Sequence, residues 1–452
     1  MSKYNSSFGR ANIIDILLKE GGCVHFLGAG GAGMSALCVL SSHFGIKVSA
    51  SDKARGEYVN MLSKRGIKTV TSEHAKLPSE TKLVVYSLAV DEEDPILKEA
   101  KAMGVPAVSR AEYLGAIASP YRLKIGVSGS HGKSTTVAML HKILCSCGAC
   151  PTTLSGARLS RESDNVHVGS LNCIVFENCE YKDSFLLTSP DVGVFLNLEY
   201  DHTDYFKTRE ALSESFARAI RKCPRPIVYA DDNELSEIAR NLDTPPILVG
   251  KSVECDYRIN KSGERFFISG KSGATAEIRL SLIGRFNFIN AAMAIAAASE
   301  CGVSLESASK ALIDFYGIKG RLELIGEYKG RAVYLDYAHH PTEIKEGILA
   351  VKNATGEGVS VIFGPHTYSR TKSLFEGFVE SLSLAECVML TEIAGIREER
   401  MEGVTSAALA EMIGATVVHT PSDVTRGLEA SGGAIIVMGA ADMSWVLRSI
   451  IE

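Results

Sequence analysis

The sequence predicts an α/β protein of three consecutive units, and three observations carry that expectation. Apolar, β-branched runs of strand length alternate with helix-period segments along most of the chain. Two glycine-rich turns, GAGGAG at 28–33 and GSHGKS at 129–134, each lie between such a strand and such a helix. Polar residues gather just after the strands, at the carboxyl edge where α/β sheets place ligands.

With 452 residues, 46% apolar and 22% charged, the chain has a globular composition and room for several domains. Its 48 basic and 53 acidic side chains give a net charge of −5, so no basic surplus points to nucleic acid or an anionic membrane. The start, MSKYNSSFGR, lacks the pattern of a signal peptide. The most membrane-like run, residues 23–40, is glycine-rich and carries His25 and Ser35, so a turn between strand and helix explains it better than a membrane span. A cytoplasmic protein is expected. Eleven scattered cysteines, an odd number, argue against a disulfide framework. Cys145, Cys147 and Cys150 cluster in CSCGAC, where a C-x-x-C pair can be a redox or zinc half-site. No second pair at ligand spacing follows, so they read as ordinary small residues at a helix end.

The first unit opens with strand CVHFL, turn GAGGAG, helix MSALCVLSSHFG and strand KVSASD, residues 23–52. Gly28, Gly30 and Gly33 form G-x-G-x-x-G, and Asp52 ends the next strand about twenty residues on. The pattern leaves the ligand open between a nicotinamide cofactor and another molecule with a pyrophosphate and a ribose. Strands at 82–87 and near 105–108 continue the unit, and Ala118, Ser119 and Pro120 mark a boundary.

In the second unit RLKIGV leads into the turn, and Val137, Leu140, Ile143 and Leu144 recur on one face of the helix after it. This geometry aims backbone N–H groups and the positive helix end at a phosphate. Lys133 suits the terminal phosphates and the Ser134 hydroxyl suits Mg²⁺. Val127 stands where the common P-loop has glycine, so an ATP loop of a less common subtype is expected. CIVFE (173–177) ends in Glu177, and a buried strand in 191–206 runs into Asn197, Glu199, Asp201, His202 and Asp204. Each acidic segment is a Mg²⁺ ligand set or a solvated loop, and their pairing with a phosphate loop favours the ion. PIVYA (226–230) adds a strand, and 250–282 reads as short hairpins. A helix of small residues is expected just after Asn287 and Asn290, two asparagines able to read an adenine edge.

The third unit follows GIKGR, residues 317–321. Strands are expected at 331–336, 359–364, 387–390, 416–419 and 434–439, with helices from Pro341, near 373–384 and at the end. Asp336, His339 and His340, then His366 and Arg370, then Asp442, come after strands.

Taken together, HFLGAGGAGMS, GSHGKSTT, LNLEYDHTDYF, the N-x-x-N-A of 287–291, GR at 320–321, DYAHHPTE and GPHTYSRT resemble the Mur ligase family, in the family's order and over essentially the whole chain. The family's ATP loop also lacks the early glycine, which accounts for Val127. The resemblance implies a Rossmann-like UDP-sugar domain (1–118), a central P-loop ATPase-like domain (119–318) and a C-terminal Rossmann-like domain (319–452) that brings the amino acid. It implies ATP-dependent ligation of L-alanine to the lactyl carboxylate of UDP-N-acetylmuramate through an acyl phosphate, with ATP and Mg²⁺ required. Neither a nucleic acid nor a membrane partner is implied, and the chain would be a monomer or homodimer.

By the same resemblance, Gly28, Gly30, Gly31, Gly33, Asp52, His74 and Ser87 hold the UDP-sugar. Gly129, Ser130, His131, Gly132, Lys133, Ser134, Thr135, Asn287, Asn290, Arg321 and Asp336 hold ATP. Ser134 and Glu177 ligate one Mg²⁺ ion and His202 a second. Lys133, Glu177, His202, Arg321, His340 and Arg370 form the catalytic set, with His340 and Arg370 also meeting the amino acid. Three departures touch fine specificity: Cys179 replaces an aspartate of the acidic motif, Phe286 a histidine, and Thr367 an arginine. A Mur-type ligase that attaches a whole peptide for cell-wall recycling, a catalytically silent relative and a nicotinamide-dependent dehydrogenase are the alternatives.

Overall fold

The computed structural model describes residues 22–71, 76–159, 164–396 and 398–451. Its first sheet has five parallel strands in the spatial order Lys68–Thr71, Lys47–Asp52, Cys23–Leu27, Thr81–Tyr86 and Ala107–Ser109. Cys23–Leu27 is buried at every residue, as an apolar run covered on both faces should be. The chain leaves it in opposite directions on its two sides, which makes its carboxyl end a topological switch point. The turn 28–33 sits there.

The second sheet has ten strands in the order Thr275–Ile278, Arg265–Gly270, Tyr257–Ser262, Ile247–Gly250, Arg225–Tyr229, Val192–Phe195, Leu123–Ser128, Ser170–Glu177, Pro151–Leu154 and Val166–His167. Leu123–Ser128 lies near its middle, between Val192–Phe195 and Ser170–Glu177, so the phosphate-type turn has polar strand ends on both sides. The hairpins expected in 250–282 include Tyr257–Ser262 paired antiparallel with Arg265–Gly270. Strands Pro151–Leu154 and Val166–His167 are additions that the short runs PTTL and VH do not announce.

The chain divides into two compact units. The first, comprising residues 1–199, 212–277 and 292–312, holds the first two sheets. They share one core: Phe26, Leu37, Leu40, Tyr113 and Ile117 cluster with Leu154, Val166, Ile174 and Phe176. Phe26 and Tyr113 meet edge to face at 5.4 Å, and the buried Tyr113 hydroxyl lies 2.8 Å from that of Ser41.

The second unit comprises 200–211, 278–291 and 313–452. Its six-stranded sheet runs Glu323–Tyr328, Arg331–Asp336, Ala434–Gly439, Val359–Gly364, Cys387–Leu390 and Thr416–Val417. The first pair is antiparallel, with Glu323–Tyr328 at the edge, a strand not among those expected because its half-exposed residues carry a weak apolar pattern. The last strand is shorter than the 416–419 expected. The helix expected after Asn287 and Asn290 spans Arg285–Ser299 and contains both asparagines. The Asn287 side chain donates to the Ile283 carbonyl at 2.7 Å, which satisfies a backbone acceptor just ahead of the helix.

Candidate functional site

In the first turn, Gly28 takes φ +86°, and the Gly28 and Ala29 N–H groups both donate to the Ser51 carbonyl. The Gly30 N–H donates to Asp52 Oδ2 at 2.8 Å, and a Cβ at Gly30 would lie 2.9 Å from that carboxylate. Asp52 therefore ties down the turn, a role its type and spacing did not reveal. Gly31 is the N-cap of helix Ala32–His43, and a Cβ on Gly33 would meet the Arg110 guanidinium at 3.2 Å. Ser87 closes the far side, 3.0 Å from where a Cβ on Gly28 would be. Gly28, Gly30, Gly31, Gly33, Asp52 and Ser87 are thus brought together, whereas His74 lies outside the described residues.

In the second turn, Gly129 (φ +141°) and Gly132 (φ +82°, N-cap) let the chain double back before helix Lys133–Ser146. Neighbouring Asn197 fixes it: the His131 N–H donates to Asn197 Oδ1 at 2.8 Å, and Asn197 Nδ2 donates to the His131 carbonyl at 3.1 Å. The Ser130 hydroxyl donates to the Glu199 carbonyl and accepts from the Glu199 N–H. His131 Nε2 lies 3.4 Å from Glu199 Oε2. Ser134 and Thr135 are buried in the first turn of the helix.

Lys133 folds over the loop, donating to the carbonyls of Gly129 and Ser130 and to Glu180 at 3.1–3.2 Å. Burial alone would push its ammonium down, but Glu180, helped by Cys179 and Glu177, more than offsets this, and its pKa is raised. Glu180 is 2% exposed, so it is a carboxylate kept dry for a cation. Glu180 matches the family's acidic motif in ENCEYKD alongside Glu177, but its pairing with Lys133 is not evident from the sequence. Glu177 ends the strand beside the loop strand, in register with Val127, and accepts from the Ser155 hydroxyl and the Gly156 N–H. The Ser134 hydroxyl and this oriented carboxylate are hard oxygen donors of the kind Mg²⁺ takes.

In the second unit, His340 is the N-cap of helix Pro341–Thr355, and its Nδ1 accepts from the Thr342 N–H at 3.3 Å. Glu343 reciprocates by accepting from the backbone N–H groups of His339 and His340. Glu343 also lies 3.9 Å from Arg321, whose guanidinium stacks over Tyr337 at 4.9 Å. This capping box was legible as His-Pro-Thr-Glu, yet Glu343 was missed. Asp336 is buried, which pushes its carboxyl up to about 7 even though Arg321 pulls the other way. Asn287 and Asn290 are buried in their helix.

Arg370 is held by Asp201. Its Nε and Nη2 donate to Asp201 Oδ1 at 3.0 and 2.9 Å, and Nη2 also reaches Oδ2 at 3.1 Å. Burial would raise the Asp201 pKa, but His202, Arg370, His339 and His340 together hold it well below the usual carboxylate range. His202 follows with φ +55°, its N–H donating to Asp201 Oδ1. The three departures have local explanations in two cases. Thr367 caps helix Tyr368–Ser373, accepting from the Arg370 N–H, and Phe286 packs against the apolar core of this unit. Cys179 sits between Glu180 and Lys133 electrostatically, and burial raises its thiol.

A glycine turn at a sheet switch point, a phosphate loop and a third α/β sheet bearing DYAHHPTE, in this order, are matched by three family models. These are the Mur ligase family catalytic domain over 23–122, the Mur ligase middle domain over 127–298 and the Mur ligase glutamate ligase domain over 320–441. The chain belongs to the Mur ligase family. Among curated relatives of this Mur ligase, the UDP-N-acetylmuramate–L-alanine ligase of Caldicellulosiruptor bescii is 36% identical, covering 85% of this chain and 86% of that one. The enzyme of the same name from Clostridium tetani is 33% identical, covering 93% and 96%. Among solved structures, the UDP-N-acetylmuramate-alanine ligase of Thermotoga maritima superposes with a TM-score of 0.79 at 23% identity, covering 95% and 98%. A murein peptide ligase from Psychrobacter arcticus superposes at 0.75 with 25% identity and the same coverage. Among the described residues, no helix is long and apolar enough to cross a membrane.

Proposed function

We propose that this chain joins L-alanine to the lactyl carboxylate of UDP-N-acetylmuramate at the expense of ATP, the first amino-acid addition to the peptidoglycan precursor, in the cytoplasm. The Lys133–Glu180 pair inside a glycine loop, beside an oriented Glu177, carries the ATP part of the reading. Four in five or more of the residues of each named L-alanine ligase relative are covered, which supports the choice of substrate.

The sugar carboxylate is phosphorylated by ATP, the amine of L-alanine attacks the acyl phosphate, and phosphate leaves. The protein's part is positioning and charge neutralisation. The Gly28–Gly33 turn takes the UDP pyrophosphate, and Ser87 lies beside it. Lys133 swings from Glu180 to the transferred phosphate, with Arg321 as a second cation. Ser134 and Glu177 would hold one Mg²⁺ ion and His202 a second, and when bound these ions would spread the negative charge of the phosphates. Asp336 accepts from the ATP ribose, and Asn287 and Asn290 face the base. His340 lies by the incoming amine. Asp201 occupies the Nε–Nη2 edge of Arg370, so the Nη1 side is left for the L-alanine carboxylate.

Phosphate release from ATP with UDP-N-acetylmuramate and a panel of acceptors tests this. Release with L-alanine, and with glycine or serine only at higher concentration, is expected. Release with a muramyl-type peptide but not with L-alanine would make the chain a recycling ligase.

A further inference from the structure

Arg110 occupies an unfavourable place for a cation. It is the first residue of helix Arg110–Ile117, whose start is closed by a capping box between Ser109 and Glu112. A helix N-terminus carries partial positive charge, so a guanidinium there is disfavoured unless an anion compensates it. Glu112 is spent on the cap, accepting from the Ser109 N–H at 2.7 Å. Arg110 is half-buried, and its guanidinium makes no hydrogen bond or ion pair among the described residues.

The side chain lies across the first glycine turn. A Cβ on Gly33 would stand 3.2 Å from Arg110 Nη1, 3.4 Å from Cδ and 3.6 Å from Cζ, so glycine at 33 is what gives the guanidinium its room. Its positive charge also acts at Cys179 in the acidic motif, where Glu180 and Lys133 are felt as well. The helix that carries it is rigidly held. Tyr113 and Ile117 are in the core shared by the first two sheets, and Gly115 packs against the Leu187 carbonyl, in the segment Tyr181–Leu187 that follows the motif. Arg110 is therefore fixed between the glycine turn of the first sheet and the Lys133–Glu180 pair of the second.

The turn has its own means of holding a pyrophosphate. Gly28 and Ala29 donate to the Ser51 carbonyl, Gly30 to Asp52 and Gly31 to the Gly28 carbonyl. The N–H groups of Ala32 and Gly33 open the next helix, have no acceptor within it and suit a phosphate. Arg110 lies on Gly33 and acts as far as Cys179, so it spans the gap from that phosphate to the phosphate loop. We infer, on the ligase reading proposed above, that Arg110 binds the lactyl carboxylate of the UDP-sugar and so distinguishes a muramyl sugar from one without the lactyl group. A guanidinium there can hold the carboxylate through two parallel hydrogen bonds and offset its repulsion from the γ-phosphate. One carboxylate oxygen then bonds to the γ-phosphorus as the bond to the ADP oxygen breaks, and that electron pair leaves with ADP.

The test is calorimetry on the full chain with Mg²⁺ and a non-hydrolysable ATP analogue present. The two probes are UDP-N-acetylmuramate and UDP-N-acetylglucosamine, which differs only in lacking the lactyl ether. Arg110→Met keeps a long side chain and removes the charge. It should weaken UDP-N-acetylmuramate roughly 10- to 100-fold and leave UDP-N-acetylglucosamine within about threefold. Arg110→Lys should recover part of the loss. In ligation, the UDP-sugar KM should rise with the ATP and L-alanine KM values little changed. The unliganded variants should melt at the wild-type temperature or slightly above it, because the charge leaves a helix N-terminus, and this separates a lost contact from a damaged fold. Equal weakening of both sugars would assign Arg110 to the pyrophosphate and overturn its role, as would unchanged affinity for both. A wild type that binds neither sugar would refute the ligase reading itself. A wild type that ligates UDP-N-acetylmuramate, beside an Arg110→Met variant that does so equally well, would refute the role of Arg110 alone.

Discussion

Removing the Arg370 guanidinium should damage the fold of its own unit as well as the chemistry. The Arg370 and Asp201 side chains are 12% and 8% exposed, so neither charge is well solvated. Two unit charges about 4 Å apart attract by about 4 kcal/mol at an effective dielectric constant of about 20. In Arg370→Ala, Asp201 stays buried with only His202, His339 and His340 to balance it, and breaking a buried pair from one side costs about 3–5 kcal/mol. We expect about 3 kcal/mol, because the histidines compensate in part. Asp201→Ala should cost about 2 kcal/mol, and the double variant less than the sum by about 2 kcal/mol. The sign of the pH dependence follows from the lowered Asp201 pKa. In the wild type its stabilising contribution is present above the ordinary carboxylate pKa and is lost as pH falls through the depressed value. The deficit of Arg370→Ala should therefore be full at neutral pH and begin to shrink only as the solution is acidified below about pH 4. Trp445 is the sole tryptophan and packs against the core of this unit, so urea melts followed by its emission report on the right part of the chain. In kinetics, Arg370→Ala should raise the L-alanine KM roughly 30-fold or more with little change for ATP or the UDP-sugar, and Arg370→Lys should recover only part. Strictly additive single-variant costs, each below about 1 kcal/mol, would refute the paired-charge argument.

Three further outcomes are expected. On the proposed roles, Lys133→Ala should cut ligation by about 1,000-fold or more while calorimetric UDP-N-acetylmuramate affinity stays within about threefold, because Lys133 lies in a different turn from Gly28–Gly33. Near wild-type turnover would remove Lys133 from the reaction. Gly30→Ala places a methyl 2.9 Å from the Asp52 carboxylate, so UDP-sugar binding should weaken at least about tenfold, with ATP binding unchanged by calorimetry. With its carboxyl raised to about 7, Asp336 disfavours the folded state increasingly as pH rises from about 4 through about 7. Asp336→Asn should thus gain on the wild type above neutrality, by up to about 4 kcal/mol in the same tryptophan-monitored melts, and should flatten the rise in ATP KM expected below pH 7.

What could be read in advance was chemistry that is local in the chain. The turns at 28–33 and 129–134 announce themselves because Gly28, Gly129 and Gly132 take backbone angles that favour glycine. His340 was visible as a residue after a strand, and its capping partner Glu343 stands three positions on. Lys133–Glu180 and Asp201–Arg370 were not visible, because the partners lie 47 and 169 residues apart and meet only when sheet order is known. The edge strand Glu323–Tyr328 escaped notice because a half-exposed strand carries a weak apolar signal. Asn197 was noticed as a candidate ligand, whereas its side chain is spent on bracing the loop at His131.

The core shared by the first two sheets bears on how such a chain can be cut and recombined. A Cβ on Gly115 would strike the Leu187 carbonyl at 2.6 Å, and Asn165 Nδ2 donates to the Ala32 carbonyl. Arg65 pairs with Asp164, and Arg158 with Glu57. A chimera joined near residue 118 would have to recreate each of these contacts between foreign surfaces, and a fragment ending there would show water Tyr113, Ile117 and Leu40. The first sheet and the phosphate-loop sheet are therefore best engineered as one cassette. Grafting a different acceptor specificity is better begun beyond residue 313, where a separate hydrophobic core starts.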